Sequence, residues 1–393
     1  MRAMIDFDAL DAANAPLNAF SDFDRSATCG EGPLAGLTIG VKANIAVAGM
    51  PWHAGLAAFE IRLAERDADV VALLRQAGAA IMGVLNMEEA ALGAKSDNPH
   101  FGPVRNPHRI GYSPGGSSGG SGAAVAAGLC DVALGTDTMG SVRIPAAHCG
   151  IYGFKPATAS ISQEGLEPAD LSLDAIGPLA RDLVTLERAA RAISGFGDDP
   201  LEGAGATLAE HGVEVHPEVA RCFDAVLAAL GTSPQPVALS HPQSRIRFAG
   251  FIGVSREMAE HLRGVATSER LAKLLTYGPR RSLSDWAEDR AILDRTRDEV
   301  RAVVAEHGFL ILPTVPNPPF PHSEPEPAAQ ADFTCLANIA GLPSISLPAG
   351  WTSDGLPIGV QLVGPAGAEA GLFALARQLD DTLRAYRPPA QGA

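Results

Sequence analysis

Short apolar runs alternate with amphipathic stretches along the first half of the chain. Residues 34–48, LAGLTIGVKANIAVA, are apolar and partly β-branched, which predicts strand and places Lys42 in a β setting. Residues 67–78, DADVVALLRQAG, carry apolar positions at helical spacing and end on a glycine stop. Residues 79–86, AAIMGVLN, then predict a buried strand, residues 123–128 a helix and residues 131–134 another short strand. Strand and helix in alternation predict an α/β sheet with helices packed on its faces. From 198 to about 305 the texture changes. SREMAEHLRGVATSERLAKLL and LSDWAEDRAILDRTRDEVRAVVAEHG predict exposed amphipathic helices. PTVPNPPFPHSEPEPAAQ, residues 313–330, is too rich in proline for helix or sheet and predicts a surface loop. LPSISLPAG and LPIGVQLVG return to strand, and EAGLFALARQLDDTLRAY predicts a closing helix. Strands at both ends around a helical middle predict one domain, residues 1–393, completed by its C-terminal part.

Composition narrows the class. The chain has 393 residues, 46% hydrophobic and 19% charged, which suits a folded protein with a sizeable core. A formal net charge of −15 argues against nucleic acid or an anionic membrane as the main ligand. No apolar run reaches membrane-spanning length, the N-terminus does not read as a secretory signal, and five scattered cysteines form no CxxC pair; the expected compartment is a reducing cytoplasm. Only four of the 30 basic residues are lysines: Lys42, Lys95, Lys155 and Lys273.

The candidate chemistry lies between Tyr112 and Pro156, where two Gly-rich turns carrying serine flank a helix and a strand. Glycine allows tight backbone and exposes N–H groups, so each turn could hold an anion or present a hydroxyl. For the first turn, GGSSGG, a phosphate loop lacks the Lys-Ser or Lys-Thr it requires. A nucleophile elbow fits with Ser117 or Ser118 at its centre but demands an Asp and a His further on. An inert flexible loop is the third reading. The second turn, GTDTMGS, ends in Ser141, with Arg143 and Pro145 close behind.

Residues 99–156 resemble the core of the amidase signature family, whose members carry two serines 24 positions apart in such a block, as Ser117 and Ser141 are here. The likeness extends to LTIGVKANIAVAGMP, GVLNMEEAALGAKSDNPHFGPVRNP, SLDAIGPLARDLVTLE and LANIAGLPSISLPAGWTSDGLPIGVQLVGP, in the family's order, over most of residues 34–195 and 308–380. It implies a single large mixed β-sheet covered by helices on both faces. Residues 34–195 would form the signature core and 308–390 the strands and helix that complete it. Residues 198–305 would be a shortened helical region on the substrate side, leaving the pocket more open or closed by a partner subunit or a second copy.

The resemblance further implies a Ser-Ser-Lys triad, with Ser141 as nucleophile, Ser117 as bridging serine after a cis peptide bond, and Lys42 as base. The chemistry is sensible, because a serine hydroxyl needs a base to take its proton and a lysine is a base only when neutral. Desolvation between Thr38-Ile39-Gly40-Val41 and Ile45-Ala46-Val47 would favour that form. Backbone N–H groups of Thr138, Met139, Gly140 and Ser141 would make the oxyanion hole. No metal or organic cofactor is implied. Ser118, Asp137 and Arg143 are supporting candidates that could reach the substrate. Taken alone, Lys42 reads as a snorkelling surface lysine and Ser141 as a helix N-cap, and Asp137 with Arg143 as an ion pair bracing a loop. His148, Cys130 and Cys149 read as core packing, and Arg181 with Asp182 as a solvated helix start. Three positions depart from the family: Met139 stands where glycine is usual, Ala43 where an acidic residue often follows the lysine, and Leu56 where serine often follows the glycine.

The leading expectation is a serine amidohydrolase that cleaves a small non-peptide amide, releasing ammonia or a small amine. The alternatives are the glutaminase-like A subunit of a tRNA-dependent amidotransferase, which the short middle region places second, and an inactive member serving as a scaffold.

Overall fold

The computed structural model describes residues 5–390. One sheet of eleven strands runs through it, in the spatial order Phe20–Phe23, Ala80–Leu85, Thr38–Lys42, Val132–Asp137, Ala175–Ala180, Tyr152–Lys155, Ser344–Trp351, Pro357–Val363, Leu310–Pro313, Ala206–Leu208 and Gln235–Val237. The sheet is mixed. Thr38–Lys42 lies parallel to both its neighbours, Ala80–Leu85 and Val132–Asp137, whereas the strands from Val132–Asp137 across to Leu310–Pro313 pair antiparallel. Ala80–Leu85, Val132–Asp137, Ala175–Ala180 and Pro357–Val363 are buried along their whole length, as strands covered on both faces must be.

Alternation along the strands feeds two cores. Ile39, Val41, Val132 and Leu134 pack with helices Asp69–Gln76, Leu183–Ile193, Pro217–Ala229 and Glu369–Leu383. Ala133, Leu85 and Leu179 pack with Gly119–Ala126 and Arg143–His148 on the opposite face. A third cluster joins Gln243–His261, Leu283–His307 and Cys335–Ala340. Among the described residues no helix is long and apolar enough to cross a membrane.

Several boundaries differ from the sequence expectation for packing reasons. The helix expected from 123 starts at Gly119, because glycines there let it approach its neighbours; a Cβ on Gly120 would sit 2.2 Å from the Asn86 carbonyl. The strand expected to stop at 134 continues to Asp137, paired throughout with Ala175–Ala180. The stretch 255–275 is not one exposed helix. Gln243–His261 begins earlier and buries Ile246, Ala249, Ile252 and Met258, and Ser268 caps a separate Glu269–Leu274. The proline-rich segment is a loop as expected but not a surface one: Val315, Phe320 and Gln330 are buried in it.

Candidate active site

On strand Thr38–Lys42, Ile39 and Val41 face one core, so by alternation Gly40 and Lys42 face the helix Gly119–Ala126. Ser117 stands just before that helix, after a cis Gly116–Ser117 peptide bond, and its carbonyl accepts from the Glu88 N–H at 3.1 Å. Lys42 Nζ donates to Ser117 Oγ at 2.7 Å and to Thr136 Oγ1 at 2.7 Å. Lys42 is wholly buried, so the surface-lysine reading fails. Burial lowers its pKa to about 7, against the pull of Asp174, Asp137 and Glu88.

The turn after Val132–Asp137 is held by a buried ionic knot. The Arg143 guanidinium contacts both Asp137 carboxylate oxygens at 3.0 Å and donates to Gln361 Oε1 at 2.6 Å and Asn338 Oδ1 at 2.7 Å. Asn338 Nδ2 donates to the Asp137 carbonyl at 2.8 Å, and Val142 N–H to Asp137 Oδ2 at 3.2 Å. Burial alone would raise the Asp137 pKa, but Arg143 overcomes it and holds the carboxyl at about 2. Ser118 Oγ is spent on the adjoining strand, donating to the Thr136 carbonyl and accepting from the Thr136 N–H, each at 3.2 Å. Ser118, Asp137 and Arg143 therefore take the supporting part of their expected role as braces: their side-chain polar groups are engaged inside the protein, and none lines the cavity described below.

Ser141 sits at the far end of this turn and is 9% exposed. Its carbonyl accepts from the Ser118 N–H at 3.3 Å, which ties the two serine loops together. Its Oγ makes no hydrogen bond among the described residues, to Ser117 or to any other. The four oxyanion candidates divide. Gly140 N–H donates to Asp137 Oδ1 at 2.7 Å and is withdrawn from that role. The backbone N–H groups of Thr138, Met139 and Ser141 have no acceptor among the described residues. Gly140 has φ +134°, and a Cβ there would meet Thr334 Oγ1 at 2.1 Å, so the position requires glycine.

Ser141, Thr138 and Met139 line a cavity of about 280 Å³ that Lys42 and Ser117 do not reach. Its wall is apolar at Leu92, Ile144, Phe251, Val254 and Leu274, with Arg247, Arg270, Glu326 and Gln330 as its polar members. Met139, at the position where the family resemblance sets glycine, fits because helix Gln243–His261 offers Gly250 opposite; a Cβ on Gly250 would lie 2.9 Å from Met139 Cε. His148 is core as expected, its imidazole held down at about 4 by burial, and Cys130 and Cys149 are buried packing. Arg181 is no merely solvated group: it pairs with Asp131 and donates to the Val125 and Cys130 carbonyls. Among the described residues no three His, Cys, Asp or Glu side chains come together as a metal-ion set.

The family model described as Amidase matches residues 10–200 and 199–373, nearly the whole chain. The chain belongs to the Amidase family. The A subunit of a glutamyl-tRNA(Gln) amidotransferase from Methanothermobacter thermautotrophicus is 32% identical to it over 424 residues, covering 94% of this chain and 93% of the relative. That span exceeds 393 residues, so this relative carries internal insertions that the present amidase lacks. Among solved structures, a chain of a vestigial protein complex bearing on the origins of an s-triazine catabolic enzyme superimposes with TM-score 0.88 at 28% identity, covering 97% of this chain and 94% of that one. A 6-aminohexanoate cyclic dimer hydrolase superimposes with TM-score 0.82 at 26% identity, covering 97% and 93%.

Thr136, Asn338, Gln361 and the polar cavity residues do not stand out in the sequence. Thr136 and Asn338 lie inside the family-like motifs, five residues before Ser141 and within LANIAG, so their place was available but their role was not. Arg247, Arg270, Glu326 and Gln330 come from three separate segments that only the fold unites.

Proposed function

We propose that this amidase cleaves the C–N bond of an amide through an acyl-enzyme on Ser141. The observation that carries the reading is the buried Lys42–Ser117 hydrogen bond directly behind the turn that presents Ser141 to the cavity. Ser141 Oγ attacks the carbonyl carbon as its proton passes to Ser117 Oγ, and the Ser117 proton passes to neutral Lys42 Nζ. A turn of the Ser141 side chain toward Ser117 on substrate binding completes the relay, since such bonds commonly tighten only with substrate present. The N–H groups of Thr138, Met139 and Ser141 receive the negative oxygen. Lys42 returns the proton through Ser117 to the leaving nitrogen as the C–N bond breaks, and water then releases the carboxylate.

For the physiological setting, the relatives reverse the order expected from sequence. The role they are named for favours a glutaminase-like A subunit of an amidotransferase, releasing ammonia for partner subunits. A self-contained hydrolase of small amides is the second reading, favoured by the likeness to the cyclic dimer hydrolase and by a cavity whose arginines are already held in ion pairs, Arg247 with Asp332 and Arg270 with Glu88 and Glu326. In both, residues 1–393 act as one catalytic domain, and residues 198–305 supply Arg247, Phe251, Val254, Arg270 and Leu274 to the substrate side.

Reaction with a fluorophosphonate, followed by peptide mass spectrometry, tests the chemistry. Label is expected on Ser141 and none on Ser141→Ala; an unlabelled Ser141 in folded protein sinks the reading. Affinity capture of the tagged chain from its own cells separates the settings, by whether amidotransferase subunits co-purify in stoichiometric amounts.

A further inference from the structure

Gln330 is the anomaly of the cavity. It is 2% exposed, lies at the end of the proline-rich loop and lines the same cavity as Ser141. Neither its carboxamide oxygen nor its nitrogen has a hydrogen-bond partner. Buried amides are nearly always bonded, because an unmet donor or acceptor loses its water without return. The charged members of the wall are each held in an ion pair. Arg247 pairs with Asp332, and Arg270 bridges Glu88 at 3.1 Å and Glu326 at 3.1 Å. Glu326 also accepts from the Ala94 N–H at 2.9 Å. Beyond Ser141 and its turn, Gln330 is thus the side chain of the wall whose amide oxygen and nitrogen both lack a partner, and it is uncharged. A small turn of its carboxamide, now closed off, would present both to a ligand in the cavity.

We infer that Gln330 is a specificity-determining residue that reads a second, neutral amide edge on the substrate. A carboxamide, or the N–H and C=O of a lactam or cyclic ureide, returns two hydrogen bonds to Gln330 Oε1 and Nε2 in register. A carboxylate offers no donor, and an ammonium offers no acceptor. The remaining wall is apolar apart from Arg247, Arg270 and Glu326, each held in an ion pair, so the class is a short α,ω-diamide or a cyclic amide with an apolar connection. The inference rests on Ser141 marking the reacting end of the cavity, and it favours the self-contained hydrolase over a glutaminase.

Binding tests it without turnover. Calorimetry on Ser141→Ala would compare malonamide, succinamide, glutaramide and adipamide with monoamides of matched length, the corresponding half-amide acids, and glutamine. At least one diamide is expected to bind more tightly than its matched monoamide and acid, on the order of 30-fold for two hydrogen bonds. Gln330→Leu in the same background should erase that preference and leave monoamide affinity unchanged. Gln330→Glu, which keeps the shape and loses the donor, should fall between. With Ser141 restored, fluorophosphonate labelling of the Gln330 variants reports that the site is still folded. In turnover, Gln330→Leu should raise KM for the diamide with kcat nearly unchanged. A diamide preference that survives Gln330→Leu, or glutamine or a half-amide acid binding best, overturns the inference. An unlabelled Ser141 overturns the acyl-enzyme reading instead, and the two failures are distinguishable.

Discussion

At the scale of single residues, the proposed chemistry rests on Lys42. A buried amine with its pKa lowered to about 7 is substantially neutral at physiological pH, as a base must be. The kcat/KM for any amide turned over should rise with pH through about 7 and level above it. Lys42→Arg should fall on the order of 10³-fold or more, since a guanidinium stays charged. Stability carries the same signature. The folded pKa lies below the unfolded value, so the unfolded chain binds the extra proton between about 7 and 10.5 and wild-type stability rises with pH across that window. Lys42→Met removes this dependence, so chemical denaturation should show it gaining on wild type most at pH 6 and least near pH 10. Equal differences at both values would contradict the assignment. In the sequence, Lys42, Ser117 and Ser141 stand out through the family resemblance; taken alone, Lys42 reads as a surface lysine and Ser141 as a helix N-cap. The sequence could not show that Gly140 N–H is consumed by Asp137, because that depends on the course of one turn.

At the scale of elements, the Arg143–Asp137 pair positions the Ser141 turn by joining helices Arg143–His148 and Cys335–Ala340 to strands Val132–Asp137 and Pro357–Val363. Arg143→Met strands a buried carboxylate, and should cost about 3–5 kcal/mol in urea unfolding along with most of the activity. Gly250 makes a quieter test. Its backbone carries no positive φ, so Gly250→Ala gains helix propensity of about 1 kcal/mol while its Cβ pushes on the end of Met139. Melting temperature should stay near wild type and KM should rise, and Met139→Ala should restore KM. Strongly periodic elements such as Leu283–His307 and Glu369–Leu383 were readable in advance. The start of Gly119–Ala126 was not, since glycine is a poor helix former and only packing against Asn86 and Pro145 explains it there.

At the scale of the molecule, the last strands are central and not peripheral. Ser344–Trp351 and Pro357–Val363 lie between Tyr152–Lys155 and Leu310–Pro313, so residues far apart in the chain close one sheet. A chain ending at Gly341 should show no cooperative unfolding transition; a cooperative one would mean that the N-terminal part folds alone. Alternation of elements foretold the sheet and its C-terminal completion. The cavity escaped prediction because its polar wall is drawn from residues 247, 270, 326 and 330, whose approach no local pattern encodes.

The central claim is that Lys42, through Ser117, activates Ser141. The most direct test is the second-order rate of fluorophosphonate labelling at Ser141 as a function of pH, in wild type and Lys42→Ala. The wild-type rate should rise through about pH 7 to a plateau, and Lys42→Ala should be slower on the order of 10³-fold with that inflection gone. A Lys42→Ala profile that matches wild type, or label found on Ser117, would contradict it.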